Sequence, residues 1–196
     1  MTVQGRQASS RFQLALMWSR IKRVSRLDRD EILELKQNKN ATGQAVAVLV
    51  VAALALGVGY TLFTELQSNS VSAYGIIVGS LASIVTGCFA EFVWSGTLFL
   101  VGTKLFQGKT GYWELARPLF FSVSPAFLFI LISIPVPIFY KTVAIVATAW
   151  VVLLQGFVLK QVMGFDTRRT ILTLAVGFMI LLFVYLEFVQ SSAPPA

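Results

Sequence analysis

The chain alternates long apolar blocks with short polar connections. After a polar beginning of about 41 residues, five apolar segments follow, at positions 44–66, 76–103, 115–134, 138–159 and 171–189. Each approaches or exceeds the roughly 20 residues that an α-helix needs to cross a hydrocarbon core of about 30 Å. The pattern therefore predicts an all-α polytopic membrane protein with five transmembrane helices, preceded by a cytoplasmic amphipathic helical region.

The polar beginning contains an amphipathic helix over residues 12–26. Its apolar positions follow the i, i+3, i+4, i+7 spacing and are Leu14, Met17, Trp18, Ile21 and Val24. Such a helix can lie in the lipid interface, or it can pack on the protein's own inner surface or on a partner, and the sequence leaves both open. Asp28 is placed to cap a second, short helix. We predict a basic region 1–41, a membrane domain 42–190 and a short outer tail 191–196.

Lysine and arginine are distributed unevenly about these segments. Nine of the sixteen precede residue 41, and fifteen of the sixteen fall on one side once five spans are drawn. Because cytoplasmic loops carry the excess of Lys and Arg, the N-terminus is predicted to be cytoplasmic and the C-terminus to lie outside. Anionic lipid is the expected counter-charge for a net charge of +7.

The composition removes most catalytic chemistry. Apolar residues make up 56% of the chain and charged residues only 13%, histidine is absent, and the one cysteine, Cys88, lies inside an apolar segment. The commonest general base and metal ligand is thus missing, and no phosphate-binding loop or zinc-protease motif occurs. We expect no enzyme activity, no cofactor, no bound metal and no nucleic-acid partner.

The second span carries an acid, Glu91, near its middle. An ionised carboxylate is costly there, so Glu91 must face protein or water. It stands in a ladder of mostly small residues spaced by four, Gly75, Gly79, Ser83, Gly87, Glu91 and Ser95, which allows another helix to approach closely. Packing within the bundle is favoured over oligomerisation. A hydrogen-bonded, protonated acid is favoured over a proton or ion site, because no Lys, Arg or His lies in the membrane to relay a proton.

The basic connection between the second and third spans contains further candidates. Gly108 and Gly111 are expected to supply its turn, and Arg117, a cation in the first turn of a helix, is expected to contact a phosphate, an acidic partner group or Glu114. Gly164 is placed to end the fourth span, and Asp166 or Thr167 to cap the fifth. The residues predicted to contact lipid or a partner are Trp18, Arg20, Arg23, Lys104, Trp113, Arg117, Arg168 and Arg169.

With these residues in view, the chain resembles the Yip family of five-span membrane proteins. The similarity is carried by Asn40–Ala45 before span one, Trp94 and Gly102–Phe106 in span two, Glu114–Arg117 with Ser124-Pro125 in span three, and Trp150 in span four. The order and spacing are most similar to the prokaryotic branch, which implies a prokaryotic cytoplasmic membrane as the location. The resemblance implies the five-span fold; eukaryotic members are linked to prenylated Rab GTPases, but their acidic Asp-Leu-Tyr-Gly-Pro type segment is absent from residues 1–41, so no Rab partner is predicted.

Three functional hypotheses follow. The first is a non-catalytic membrane scaffold or adaptor that binds anionic lipid and other membrane proteins. The second is a structural accessory subunit of a respiratory or photosynthetic complex, contacted through phenylalanine-rich outer faces such as Phe120, Phe121, Phe127 and Phe129. The third, ranked last, is a small transporter that uses Glu91.

Overall fold

The computed structural model of the chain describes the backbone of residues 3–68 and 71–192 and the side chains of residues 13–68 and 71–186. Within these residues there is no strand, which confirms the all-α prediction. The α-helices in order are α1 Val3–Ser25, α2 Arg29–Gln37, α3 Thr42–Gln67, α4 Ala73–Leu100, α5 Tyr112–Ser122, α6 Pro137–Met163 and α7 Thr167–Ser192. Most of the predicted tail, residues 193–196, lies outside the described residues.

Five helical segments are long and apolar enough to cross a membrane, as predicted. They are Lys39–Gln67, Ala73–Leu105, Tyr112–Ser133, Pro137–Met163 and Thr167–Leu186. The protein is therefore a multi-pass membrane protein. The connections 104–111 and 164–166 lie at one end of this bundle together with α2, and we call this the basic end.

The third span is broken in two and lies at the centre of the bundle. The short helix α5 is followed by a 3₁₀ segment, Ser124–Ser133, with Pro125 in its first turn. Ten residues of 3₁₀ helix are unusual, but the larger rise of about 2.0 Å per residue lets a short sequence cover more of the membrane thickness. The segment packs chiefly between α3 and α6. Its backbone comes so close to α3 at Gly59 that any side chain there would meet the Phe129 carbonyl.

This central position corrects the prediction of phenylalanine-rich outer faces. Phe120 and Phe121 are fully buried among the neighbouring helices, and Phe127 is only partly exposed. Phe120 also stacks edge-on against Phe92 of α4, with ring centroids 5.0 Å apart. Aromatic side chains in the third span thus fill the core because the segment that carries them is surrounded.

The ladder of small residues on α4 faces α3, which carries a matching row four residues apart. A Cβ placed on Gly79 would lie 2.6 Å from Thr61 Oγ1, and one on Gly87 would lie 3.0 Å from Ala53 Cβ. Between these two contacts, a Cβ on Gly57 of α3 would lie 2.5 Å from Ser83 Cβ. The two helices therefore approach each other within one chain, as small-xxx-small rows permit.

Helix ends follow the local signals in the sequence. Asp28 accepts hydrogen bonds from the backbone N–H groups of Asp30 and Glu31, and Asp166 accepts one from Arg169 at the start of α7. Gly164 ends α6 in the left-handed conformation, at φ 69°. Glu65 was not foreseen as a cap, but it accepts a hydrogen bond from the Ser72 N–H just before α4. The caps predicted at Asp28, Gly164 and Asp166 are confirmed.

The connection after α4 differs from the expectation. The helix widens into a π-type turn over Val101–Leu105, and the residue with positive φ is Gln107, at 59°, not a glycine. A Cβ on Gly108 would lie 2.9 Å from both Met163 and Phe165. Gly108 is therefore required for close packing against the end of α6, and the turn itself is made by its neighbour.

Candidate functional site

Arg20 fastens the N-terminal helices to the bundle. Its side chain is only 5% exposed. It donates hydrogen bonds of 2.8 Å to Gln44 Oε1 and 2.7 Å to Glu34 Oε1, and its Nε lies 3.4 Å from Glu31 Oε1. These contacts join α1 to α2 and to the start of α3. A buried arginine and a buried glutamate each need the other's charge to offset the cost of burial. Arg20 therefore stabilises the contact of α1 with α2 and α3.

Arg23 completes the charge cluster at the α1–α2 turn. It pairs with Asp28 at 2.8 Å and with the buried Glu31 at 2.6 Å. The hydrogen bond from Arg23 holds the pKa of Asp28 below its ordinary value. Burial raises the pKa of Glu31, although the positive charges of Arg23 and Arg20 oppose this rise. The carboxylates of Asp28, Glu31 and Glu34 thus pair with both Arg20 and Arg23.

The side chain of Arg117, a residue of α5, binds the C-terminal end of α2. It is 5% exposed and donates hydrogen bonds to the carbonyls of Leu35 and Lys36, at 3.5 and 2.7 Å, and to Thr42 Oγ1 at 3.0 Å. These carbonyls lie in the last turn of α2, the negative end of its dipole, which favours a cation. Lys36 in turn donates to the Val162 carbonyl near the end of α6, at 2.8 Å. Two cations therefore each bind the C-terminal end of a neighbouring helix.

The structure thus gives Arg20 and Arg117 internal roles in place of the predicted lipid contact. Arg117 needs neither a phosphate nor an acidic group as a partner, because its guanidinium donates hydrogen bonds to backbone carbonyls of α2. The sequence could not indicate this, since the pairing joins residues more than 70 positions apart. The other predicted lipid or partner contacts are exposed or half-exposed: Trp18, Arg23, Lys104, Trp113, Arg168 and Arg169.

The apolar side of α1 is divided between the protein and its surroundings. Ile21 and Val24 are buried against the bundle, whereas Leu14 and Trp18 are 59% and 52% exposed. The packing of Ile21 and Val24 on the protein's own surface supports one of the two alternatives left open by the sequence, while Leu14 and Trp18 remain uncovered. A position of this helix in the lipid interface stays a prediction. Ser25, at the last turn, approaches Ser124 with 3.2 Å between the hydroxyl oxygens.

Three exposed residues spaced by four, Trp18 and Lys22 of α1 and Arg26 in the turn that follows it, form a stripe that we call the α1 face. Lys22 lies 5.6 Å from the Trp18 ring, and no acidic side chain among the described residues pairs with Lys22 or Arg26. All three border a cavity of about 590 Å³ whose other walls come from the 3₁₀ segment and α6, including Pro125, Phe127, Leu128, Val146 and Trp150. The four-residue spacing was a sequence signal for this stripe.

Glu91 has a partner within the bundle. Gln155 of α6 donates a 2.9 Å hydrogen bond to Glu91 Oε1, and its own Oε1 accepts one of 2.9 Å from the Trp94 indole. Glu91 also borders a small cavity of about 200 Å³ between α3, α4, α6 and the third span, with mostly apolar walls. The polar groups of α4 and α6 therefore satisfy one another, which is the arrangement expected of a packing contact in a membrane.

Ligand sets for a metal ion are absent from the described side chains: no group of three or more Cys, Asp or Glu residues comes together there. Ser95, the last member of the α4 ladder, is fully buried, and its hydroxyl lies 3.1 Å from that of Tyr112. The polar contacts inside the bundle thus join helices to one another.

The comparison with protein families agrees with this architecture. The family model described as the Yip1 domain matches residues 27–189, which include α2 as well as the five spans. No curated protein and no solved structure matches the chain. Since the matched region covers most of the sequence, the chain belongs to the Yip1 family of multi-pass membrane proteins.

Proposed function

We propose that this protein is a non-catalytic membrane scaffold that binds anionic lipid at its basic end, through the α1 face. The observation that carries the proposal is the division of the cations on α1. Arg20 and Arg23 are neutralised by acids of α2 and its N-cap, whereas Lys22 and Arg26 are exposed beside an apolar cavity and have no acidic partner among the described side chains. A tryptophan, two cations and an apolar groove together match the head group and upper chain region of a lipid.

The rigid attachment of α1 and α2 supports the scaffold role. Arg20, Arg117 and Lys36 join the N-terminal helices to α3, α5 and α6, so the α1 face keeps a fixed position relative to the spans. The excess of Lys and Arg on one side supports a cytoplasmic position for this face, with the C-terminus outside, and the resemblance to the prokaryotic branch supports a prokaryotic cytoplasmic membrane. We propose that other membrane proteins bind at the same surface.

The alternatives receive less support. The accessory-subunit hypothesis relied on four phenylalanines of the third span, of which Phe120 and Phe121 are buried and Phe127 and Phe129 are only partly exposed. The transporter hypothesis relied on Glu91, whose contact with Gln155 gives it a packing role. The Lys and Arg residues of the spans lie near the span ends and the sequence has no histidine, which leaves Glu91 without a proton-relay partner near mid-span.

The test measures lipid retention by the full chain. Purified protein in mild detergent is titrated with phosphatidylglycerol, and bound lipid is counted by native mass spectrometry. The double variant Lys22→Gln/Arg26→Gln should bind the lipid at the α1 face more weakly, by about fivefold for each cation removed. The control, Lys39→Gln/Lys109→Gln, removes the same charge from exposed positions outside the cavity.

Equal loss in the variant and the control would show only general charge attraction, and no loss in the variant would show that the α1 face does not bind lipid. Either result contradicts the proposal. Deleting residues 1–40 is a poor test, because it would remove Arg20 and Lys36 and with them the hydrogen bonds that join the N-terminal helices to α3 and α6.

A further inference from the structure

A second apolar surface lies on the other side of α6, between α6 and α7. This α6–α7 groove has a volume of about 790 Å³, within the 300–1,000 Å³ or so that is typical of ligand sites. Its walls include Gly156 and Lys160 of α6 and Thr167, Ala175 and Phe178 of α7. It is separate from the α1 face, and none of the residues predicted as lipid contacts lines it.

The groove has the length of one lipid leaflet. Along α7 its walls extend from Thr167 to Phe178, eleven residues or about 16 Å at 1.5 Å per residue. Half of a hydrocarbon core of about 30 Å is close to this value. The groove begins at the basic end, where Leu27 and Lys160 line it, and runs along the helix axes toward the membrane interior.

The floor of the groove is apolar in effect, although Trp94 and Gln155 contribute to it. The indole N–H of Trp94 is donated to Gln155, and the amide of Gln155 is donated to Glu91. Both groups therefore have hydrogen-bond partners inside the bundle, and the remaining walls of the groove are mostly aliphatic or aromatic. Such a surface suits a hydrocarbon chain and disfavours a polar solute.

Cations stand at the basic end of the groove. Lys160 lines it and donates 3.0 Å to the neutral Thr167 hydroxyl, so no acidic side chain neutralises it among the described residues. Arg168 is exposed on α7 and lies only about 20° around the helix from the groove residue Ala175, seven positions later. A negatively charged head group at this end of the groove would lie near both Lys160 and Arg168.

From this combination we propose that the α6–α7 groove binds one anionic phospholipid, with an acyl chain between α6 and α7 and the phosphate held by Lys160 and Arg168. The bound lipid fills space that the bundle itself leaves between two helices which touch each other little. This site goes beyond the lipid contact proposed for the α1 face and is independent of it.

The experiment compares variants that block the chain with variants that remove the charge. Ala175→Trp places a large side chain in the groove, and Leu172→Trp, about 60° farther around the same helix and also exposed, is its matched control. Lys160→Gln/Arg168→Gln removes the cations. Each full-length protein is titrated in mild detergent with phosphatidylglycerol or phosphatidylcholine of the same chains, and bound lipids are counted by native mass spectrometry.

We expect Ala175→Trp to lose one bound phosphatidylglycerol and Leu172→Trp to keep it. Lys160→Gln/Arg168→Gln should weaken that binding by about fivefold per cation and reduce the preference over phosphatidylcholine. Unchanged stoichiometry in both Ala175→Trp and Lys160→Gln/Arg168→Gln would overturn the proposal. Equal binding of the neutral lipid to the unaltered protein would overturn the assignment of the head group.

The variant Lys22→Gln/Arg26→Gln separates this site from the α1 face. If it removes one lipid and Ala175→Trp removes another, both sites are supported. If only Lys22→Gln/Arg26→Gln has an effect, the groove proposal fails and the proposed function stands. If only the groove variants have an effect, the reverse holds.

Discussion

The cations of the basic end fall into two groups that the sequence does not distinguish. Arg20 and Arg117 are buried and bind acids, an amide, a hydroxyl or helix carbonyls of the same chain. Lys22, Arg26 and Arg168 are exposed, and no acid among the described side chains pairs with them. The difference shows that a positive charge near a membrane can stabilise the fold or face the lipid. The count of such charges gives topology but not role.

Exchanging one member of each group is the strongest test of this comparison. Arg20→Met should lower the free energy of unfolding by about 3–5 kcal/mol, because it leaves Glu31 buried with one partner fewer. Arg26→Met should change it by less than about 0.5 kcal/mol. Thermal unfolding in detergent measures both. Comparable destabilisation by the two changes would contradict the division into buried and exposed cations.

Arg117 tests the same idea where the partner is a helix end. Arg117→Met should lower the free energy of unfolding by about 2–3 kcal/mol, since the carbonyls at the end of α2 lose a charged donor. Arg168→Met is the control at an exposed position. Hydrogen exchange should also show faster opening of α2 in Arg117→Met. Normal protection of α2 in that variant would show that Arg117 does not hold it.

A pair of glycines extends the comparison to uncharged residues. Gly57→Ala should destabilise the protein by about 1–3 kcal/mol, because the new Cβ would lie 2.5 Å from Ser83 Cβ and 3.1 Å from the Ser80 backbone. Gly96→Ala meets nothing within 4 Å and should be neutral or stabilising by up to about 1 kcal/mol. Unfolding in detergent distinguishes them, and equal effects would mean that α3 and α4 do not approach as described.

The smallest effect concerns pH at the α1–α2 turn. Burial raises the pKa of Glu31, so its contribution to stability is full below its ordinary pKa and is lost as pH rises through the raised value. The unfolding temperature of the unaltered protein minus that of Glu31→Gln should therefore decrease as pH rises from 4. The contribution of Asp28, whose pKa is lowered, is common to both and cancels. An increasing difference would mean that Arg20 and Arg23 outweigh burial.

Much of the architecture could be read from local patterns. Five long apolar blocks predict five spans, and residues such as Asp28 and Gly164 mark helix ends because capping depends on neighbours within a few positions. The sequence places Pro125 in the third span, but it does not show that the helix breaks there. Its ten-residue 3₁₀ continuation depends on the close approach of Gly59, which lies in another helix.

The sequence by itself determined the membrane class, the number of spans, the helix ends at Asp28, Gly164 and Asp166, and the family, since these depend on the composition and spacing of neighbouring residues. Only the tertiary structure decided which cations are internal, that Glu91 is hydrogen-bonded to Gln155, and that Phe120 and Phe121 of the third span are core residues. The physical reason is that a charge or an aromatic ring has the same local pattern whether it faces lipid or protein. Its role depends on partners that folding brings from distant positions in the chain.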